Sequence, residues 1–333
     1  MVLIIAEIGV NHNGCINTAK KLIDVAVKSG ADVVKFQTFK ADELTNSDAP
    51  LAEYQLKNSP EFINQKKLLE ELELSEEDHI LLKNYSQNLG IEFLSTAFTT
   101  QSIDLLVKLG MKRWKIPSGE INNIPLLKKI AIQNQPTILS TGMSTLGEIE
   151  FALKTLYDQN LPKKKITLLH CNSAYPTPME DANLKAMNTI KESFNINVGY
   201  SDHTCGIEAC IAAVALGAQI IEKHITLNKN MKGPDHKASI EPKELLNLVS
   251  SIRNIEKALG DGIKKPRNSE IKNIKVARKS IIASKFIDIG EAYTTENICI
   301  KRPGTGIPPT MYDSLLGMKS NRKYKPDEII ELN

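Results

Sequence analysis

The chain has 333 residues, 41% of them hydrophobic, enough for one large core and a small additional domain. Its 42 Lys and Arg against 39 acidic residues leave a net charge of +3, so the composition demands neither nucleic acid nor a membrane as partner. No apolar stretch reaches the ~20 residues needed to span a bilayer, and five dispersed cysteines without a CxxC pair suit reduced thiols in a cytosolic, and so cytoplasmic, protein.

The N-terminal MVLIIAEIGVNHNG has no basic leader, and Glu7 interrupts its apolar run, so it predicts a buried strand rather than a signal peptide. Eight short runs rich in Val, Ile and Leu follow one another: Leu3–Val10, Asp32–Thr38, Ile91–Phe98, Arg113–Glu120, Pro136–Met143, Ile166–Asn172, Ile196–His203 and Ala218–Thr226. They are apolar on both faces and too short for helices, as fully buried parallel strands are. Helix signals lie between them. Asn17 is a candidate cap for a helix ending at Gly30, Ser75 with Asp78 resembles a capping box for one ending at Gly90, and Pro242 opens one ending at Gly260. Eight strand–helix units in roughly 260 residues predict an α/β fold, a (β/α)8 TIM barrel. An open doubly wound sheet would bring a Gly-rich nucleotide fingerprint after its first strand, and none is present. The stretch from Lys40 to Ser75 is the longest interruption and predicts a loop or extra helix over the barrel mouth.

After residue 260 the texture changes. The barrel is expected over 1–260, a Gly-, Lys- and Pro-bearing linker over 261–275, and a small β-rich domain over 276–333, with strands near KSIIASKFI and NICIKR. That last domain has little core of its own by this reading and is expected to dock on something.

Polar residues mark the carboxyl ends of nearly every run: Glu7; Lys35 and Gln37; Ser95 and Thr96; Lys115, Ser118 and Glu120; Ser140; His170 and Ser173; Ser201, Asp202 and His203; Glu222 and His224. In a barrel these ends converge on one mouth, where catalysis occurs. A lone Ser or His at a strand end usually satisfies backbone; agreement across eight ends is harder to explain that way. Lys35 and Lys115 would put two ammonium groups in one confined space, which calls for an anionic substrate carrying phosphate and carboxylate. His203 and His224 end neighbouring strands and can meet at one metal with open positions for substrate. His170 reads as a packing residue, and His12 as loop scaffold or mouth lining.

The segments AEIGVNHNG (6–14), KFQTFKAD (35–42), KIPSGE (115–120), LSTGM (139–143), HCNSAYPTP (170–178), GYSDHT (199–204), EKHIT (222–226), GPDHKASIEP (233–242) and KRPGTGI (301–307) resemble the sialic acid synthase family, in family order along essentially the whole chain. With AEYQLKN (52–58), the likeness leans to bacterial N-acetylneuraminate synthases; legionaminic acid synthases share nearly all of it. The resemblance implies a barrel followed by an antifreeze-like (SAF) domain, in a homodimer whose small domain caps the partner's barrel. It implies a metal, manganese (Mn2+) or magnesium (Mg2+), on His203 and His224. Lys35, Thr96, Lys115 and Ser118, with Ser140, Ser173 and Ser201, fall where the family holds phosphoenolpyruvate. Gln37, Glu120, Tyr175, Glu222 and Asp235 fall where it lines the amino-sugar site, and Arg302 would reach in from the partner's small domain. Glu7 matches a strand-one glutamate near the reacting carbons. Two positions depart: Ala97 where the family has Pro, and Asn172 where Thr is common. The lid, Leu44–Gln65, is part of the N-acyl pocket in relatives.

The implied reaction joins phosphoenolpyruvate to N-acetylmannosamine with C–O cleavage and phosphate release; the alternative acceptor is 2,4-diacetamido-2,4,6-trideoxymannose. Two rivals remain at this point, a Lys-based Schiff-base aldolase and a non-enzymatic sugar- or ice-binding protein.

Overall fold

Strand alternation sorts the barrel's inside from its outside. A computed structural model describes residues 1–332 and divides into two units, Met1–Gly260 and Asp261–Asn333. In the first, eight strands form one parallel sheet: β1 (Leu3–Gly9), β2 (Val33–Thr38), β3 (Glu92–Ala97), β4 (Trp114–Ile116), β5 (Thr137–Ser140), β6 (Ile166–Cys171), β7 (Asn197–Asp202) and β8 (Ile220–His224). Their order is β3-β2-β1-β8-β7-β6-β5-β4, and the end strands β3 and β4 also approach each other, curling the sheet into a TIM-like barrel.

Inward-facing Ile5, Val33, Leu94, Ile138, Leu169 and Ile220 form an apolar plug inside the barrel. Gly199 on β7 leaves room for it, because a Cβ there would stand 2.7 Å from Leu169 Cδ2. Residues one position off this register, such as Ile4, Val34, Phe93, Leu139, Leu168 and Ile221, face outward into the main core. There they meet the apolar faces of α1 (Ile16–Ser29), whose Leu22, Ile23 and Ala26 are fully buried, and of later helices.

Between β2 and β3 lie three short helices, α2 (Ala41–Leu44), α3 (Glu53–Asn58) and α4 (Gln65–Leu72), followed by α5 (Glu76–Asn88). The Ser75–Asp78 capping box forms: Asp78 N donates to Ser75 Oγ at 3.0 Å, and Ser75 N to Asp78 Oδ2 at 3.0 Å. Then come α6 (Thr100–Lys108), α7 (Ile124–Ile132), α8 (Leu146–Tyr157), α9 (Lys185–Phe194), α10 (Glu208–Ala215) and α11 (Pro242–Leu259), with Pro242 in the first turn of α11.

Three local expectations change. The run Arg113–Glu120 is a strand only over Trp114–Ile116; Pro117 has no N–H for a ladder, and Ser118–Glu120 form a 3-10 turn. Asn17 lies inside the first turn of α1 rather than capping it; Cys15 takes the capping position with no side-chain bond. The expected linker 261–275 is helical from residue 268 on, as α12 (Asn268–Ala277), because Glu270 Oε1 accepts from Arg267 N at 3.0 Å and supports the first turn.

In the second unit, β9 (Ser280–Ala283) and β10 (Ile298–Lys301) pair antiparallel, Ile298 opposite Ala283 and Lys301 opposite Ser280, and a short helix α13 (Tyr312–Leu315) follows. The unit has more core than the sequence promised. Ile281, Ile287, Tyr293, Ile298, Leu315, Tyr324 and Ile330 are buried together, gathered from β-like segments and turns that are far apart in the chain. Among the described residues, no helix is long and apolar enough to cross a membrane.

Candidate active site

Two residues beyond each plug position, the same inward face turns polar: Glu7 after Ile5, Lys35 after Val33, Thr96 after Leu94, Ser140 after Ile138, Glu222 after Ile220. These side chains line a cavity of about 520 Å³ at the carboxyl ends of the strands. Every barrel residue expected to hold substrate or metal lines it; Ser95, His170 and Asp202, also at strand ends, do not. Glu7, Lys35, Gln37, Thr96 and Lys115 do so from β1 to β4; Ser118 and Glu120 from the 3-10 turn; Ser140, Ser173, Tyr175, Ser201 and His203 from β5 to β7 and their loops; Glu222, His224 and Asp235 from β8 and beyond. Arg302 belongs to the second unit, where it is exposed and its Nε donates to Ala277 O at 3.0 Å.

The floor is a charge quartet. Lys35 Nζ stands 2.8 Å from Glu7 Oε2 and 3.7 Å from Glu222 Oε2, and Lys115 Nζ 3.3 Å from Glu222 Oε1. Lys35 also donates to Thr96 Oγ1 at 3.1 Å, and Ser201 Oγ to Glu222 Oε1 at 2.9 Å. The two ammonium groups whose confinement calls for an anion already have counter-charges within the protein, in Glu7 and Glu222. Burial opposes the Lys35 ammonium, but Glu222 and Glu7 outweigh it and raise its pKa. Burial lowers the Lys115 pKa, with Glu222 offsetting part of the effect. Burial also works against Glu222, yet Lys115 and Lys35 hold it ionised, at about 2. Glu7 is pushed up to about 7, by burial first, with Lys35 opposing and Glu222 assisting. The quartet therefore gains a net positive charge whenever Glu7 holds a proton, a setting suited to an anion.

Beside the floor, small groups crowd. Ser118 Oγ accepts from Gly142 N at 2.9 Å and lies 3.3 Å from Cys171 Sγ, and the buried Ser140 Oγ has no protein partner. A buried hydroxyl without a partner is costly, and an oxyanion reaching Ser140 would satisfy it.

The imidazoles of His203 and His224 lie 5.4 Å apart, centroid to centroid. His203 Nδ1 donates to the Asn172 carbonyl at 2.5 Å, which leaves Nε2 as the lone-pair nitrogen. Burial lowers the His203 pKa to about 4; burial, then His203, lowers that of His224 well below the usual imidazole range, so both rings are neutral at physiological pH. His224 Nδ1 is buried without a hydrogen-bond partner and lies 3.8 Å from Asp235 Oδ2. Among the described residues no group of three or more His, Cys, Asp or Glu is gathered for a metal ion. Two neutral imidazoles with an orphaned nitrogen still fit a divalent ion that keeps open positions.

Tyr175 packs its ring 4.1 Å from that of His203 and edge-on to that of His224 at 5.6 Å, and Tyr54 from α3 stacks on Tyr175 at 5.1 Å. Burial pushes Asp235 up to about 7. Gln37 Nε2 donates to Glu7 Oε1 at 3.4 Å, and Glu120 Oε2 accepts from Asn123 Nδ2 at 2.6 Å. His170 stays outside the cavity and donates Nε2–H to Ala182 O at 2.9 Å; His12 is loop scaffold, its Nδ1 accepting from Gly14 N at 3.0 Å. Sequence reading missed Tyr54 and Gln55, although AEYQLKN carried them. It also missed Cys171, which follows plug residue Leu169 by the same two positions.

Comparison with known proteins gives concordant results. The model of the NeuB family matches residues 22–264, and that of the SAF domain residues 278–333. The chain is 53% identical over 328 residues to N,N'-diacetyllegionaminic acid synthase of Campylobacter jejuni, covering 98% of both chains. It is 49% identical over 318 residues to the enzyme of the same name from Legionella pneumophila, covering 95% of this chain and 89% of the relative. Among solved structures, an N-acetylneuraminic acid (sialic acid) synthetase from Leptospira borgpetersenii, in complex with citrate, superposes with a TM-score of 0.73 at 38% identity, over 82% of this chain and 90% of the other.

Proposed function

This chain belongs to the NeuB family of sialic acid synthases, and on that premise we propose that it condenses phosphoenolpyruvate, water and 2,4-diacetamido-2,4,6-trideoxymannose to N,N'-diacetyllegionaminic acid and phosphate. The observation that carries the reaction class is the meeting of Lys35, Lys115, His203 and His224 around one cavity. The acceptor choice rests on identity: 53% and 49% to the two legionaminic acid synthases against 38% to the sialic acid synthetase. The expectation of N-acetylmannosamine as acceptor gives way on that ground, since the motifs that carry the family resemblance are shared by synthases for both acceptors.

In this reading Lys35 and Lys115 hold the carboxylate and phosphate of phosphoenolpyruvate, with Ser140, Ser118 and Ser173 donating to its oxygens and Thr96 and Ser201 orienting the charged groups. A divalent metal, manganese or magnesium, held by His203 and His224, would supply Lewis-acid polarisation of the acceptor's aldehyde. Gln37, Tyr175, Glu120 and Asp235 orient the open-chain sugar. The phosphoenolpyruvate methylene carbon bonds to the aldehyde carbon. Water adds to the former enol carbon, and its C–O bond to phosphate then breaks. As the anion takes over Lys35, Glu7 loses its counter-charge and holds a proton at Oε2; it is the group that moves protons between water and the nascent hydroxyl. Glu222 keeps its charge between the lysines, closer to the anion than to the sugar.

The reading extends to a cytoplasmic homodimer. All five thiols are free, as in a reducing compartment. The second unit of one protomer would cap the partner's barrel and bring Arg302 to the acceptor.

The test is phosphate release from phosphoenolpyruvate with each sugar, with mass analysis of the product. Faster turnover of the diacetamido sugar is expected, abolished by chelator and restored by manganese. Full activity after metal stripping would remove the metal from the scheme, and borohydride trapping of pyruvate on Lys35 or Lys115 would replace it with Schiff-base chemistry. Sedimentation should report a dimer, and Arg302→Ala should raise the acceptor's KM; an unchanged KM counts against capping.

A further inference from the structure

The NHNG turn (11–14) after β1 has no part in the reaction scheme, yet Asn11 and His12 are buried and the turn bonds to the connection between β8 and α11. That connection, residues 225–241, carries Asp235 into the cavity. Over 227–233 it has no buried side chain, so no apolar anchor fixes its course there. The Asp235 side chain does not anchor itself either. It is buried, its Oδ2 lies 3.8 Å from His224 Nδ1, and among the described residues no hydrogen bond reaches its carboxylate.

The backbone around Asp235 is held instead, by two asparagines of the turn. Asn11 Nδ2 donates to Ile225 O at 2.9 Å and to Ser239 Oγ at 2.8 Å, and Ser239 Oγ donates in turn to Asp235 O at 2.7 Å. Asn13 Nδ2 donates to Lys232 O at 2.8 Å, while its Oδ1 accepts from His236 Nε2 at 3.1 Å. The bonds thus fall before Asp235, on it and directly after it. Room for them is built in: Gly233 has φ +138°, and a Cβ there would stand 2.8 Å from both Asn13 Oδ1 and His236 Cδ2. From α3, Asn58 Nδ2 adds a bond to Pro234 O at 2.8 Å.

Resting on the role given above to Asp235 in holding the acceptor, we infer that Asn11 and Asn13 are positioning residues, a clamp that sets Asp235 against His224 and so shapes the acceptor's side of the cavity. A carboxylate with no side-chain anchor is placed only through its backbone. Amide side chains suit the task, since each both donates and accepts without adding a charge beside a buried acid. Lys35, Lys115 and Ser140 stand on strands and share none of these bonds, so loss of the clamp separates the two substrates.

The experiment removes each half of the clamp: Asn13→Gly, which keeps the left-handed backbone of φ +51°, and Ser239→Ala, which breaks the link from Asn11 to Asp235. With the sugar that the wild type turns over faster, kcat/KM for the acceptor is expected to fall about tenfold in each variant and further in the double variant, while the KM for phosphoenolpyruvate stays put. Melting curves report folding; should Ser239→Ala fail to fold, Asn13→Gly, at an exposed position, decides. Unchanged acceptor kinetics in a folded variant, or a phosphoenolpyruvate KM that rises as much as the acceptor's, overturns the clamp. Should the wild type release no phosphate with either sugar, the proposed reaction falls, and amide hydrogen exchange over 226–240 decides instead. Faster exchange there in Asn13→Gly, with the strands unchanged, upholds the clamp; wild-type protection overturns it.

Discussion

The ammonium of Lys35 sits 2.8 Å from the carboxylate of Glu7, with both side chains almost entirely out of solvent. A buried pair of this kind stabilises little by existing, but losing one partner leaves a naked charge, at a cost of about 3–5 kcal/mol. Lys35→Met is therefore expected to lower stability by about that much and to abolish phosphate release. The double variant Lys35→Met/Glu7→Gln should regain much of the stability and none of the activity. Urea unfolding and the phosphate assay separate the two effects; recovery of turnover in the double variant would mean that Lys35 serves structure alone.

That pair also marks how far the sequence could be read. The barrel was legible because its strands are apolar on both faces and its plug is followed, strand by strand, by a polar residue two positions on, as Ile5 is by Glu7 and Ile220 by Glu222. The cavity's membership was legible for the same reason. What each polar group bonds to was not. Lys35 lies opposite Glu7 in strand register but 187 residues away from Glu222, and only closure of the barrel decides that one carboxylate is shared by two lysines. Pro117 could have ended β4 on paper, yet its effect was masked by the apolar texture around it. The lid stayed illegible because its short helices are sorted by which side faces the cavity, and a four- or six-residue helix is too short to carry a periodic signal.

Gly142 makes the crowding beside the floor testable. A Cβ there would meet Ser173 Oγ and stand 2.8 Å from Ser118 Oγ and 3.2 Å from Cys171 Sγ. Both hydroxyls can rotate away, so Gly142→Ala should fold, with a change in melting temperature of only a few degrees. The displaced hydroxyls would no longer aim at a bound anion, and misplacement of about 1 Å can cost about 100-fold. A loss of roughly that size in kcat/KM for phosphoenolpyruvate is expected, with the sugar's KM less affected. Wild-type kinetics in Gly142→Ala would remove Ser118 and Ser173 from the anion's shell.

His12 sets a pH limit on stability. Burial, then the neighbouring His79, lowers its pKa from 6.5 to about 4 in the fold. At His12 the unfolded chain therefore binds more protons than the folded one between those values, so the contribution of His12 to stability rises with pH across that window, against the opposite contributions of Glu7 and Asp235. The contribution is complete above about 6.5 and is lost progressively as pH falls towards 4, amounting to roughly 3 kcal/mol. His236, also held at about 4 by burial, adds to the slope. In His12→Asn, whose side-chain oxygen can still accept from Gly14 N, the slope of unfolding free energy against pH should shrink by about one proton. An identical slope would mean that His12 is solvated in solution.

Lys223 tests whether burial of a lysine next to the site is enough to make it functional. It is 1% exposed, one residue from both Glu222 and His224, but strand alternation turns it to the outer face of β8. There Nζ donates to Asp202 Oδ2 at 2.7 Å and to Thr204 O at 2.5 Å, while Asp202 Oδ1 accepts from Thr204 N at 2.9 Å. Neither Lys223 nor Asp202 lines the cavity. Lys223→Met should thus cost about as much stability as Lys35→Met, about 3–5 kcal/mol, since it too strands a buried carboxylate. Below its melting transition it should keep most of its kcat/KM for phosphoenolpyruvate, the opposite of Lys35→Met. Adding Asp202→Asn, which keeps the acceptor for Thr204 N, should restore much of the lost stability. Should Lys223→Met instead lose turnover while still folded, the strut would be acting through the backbone of His203, which lies between the two residues it ties.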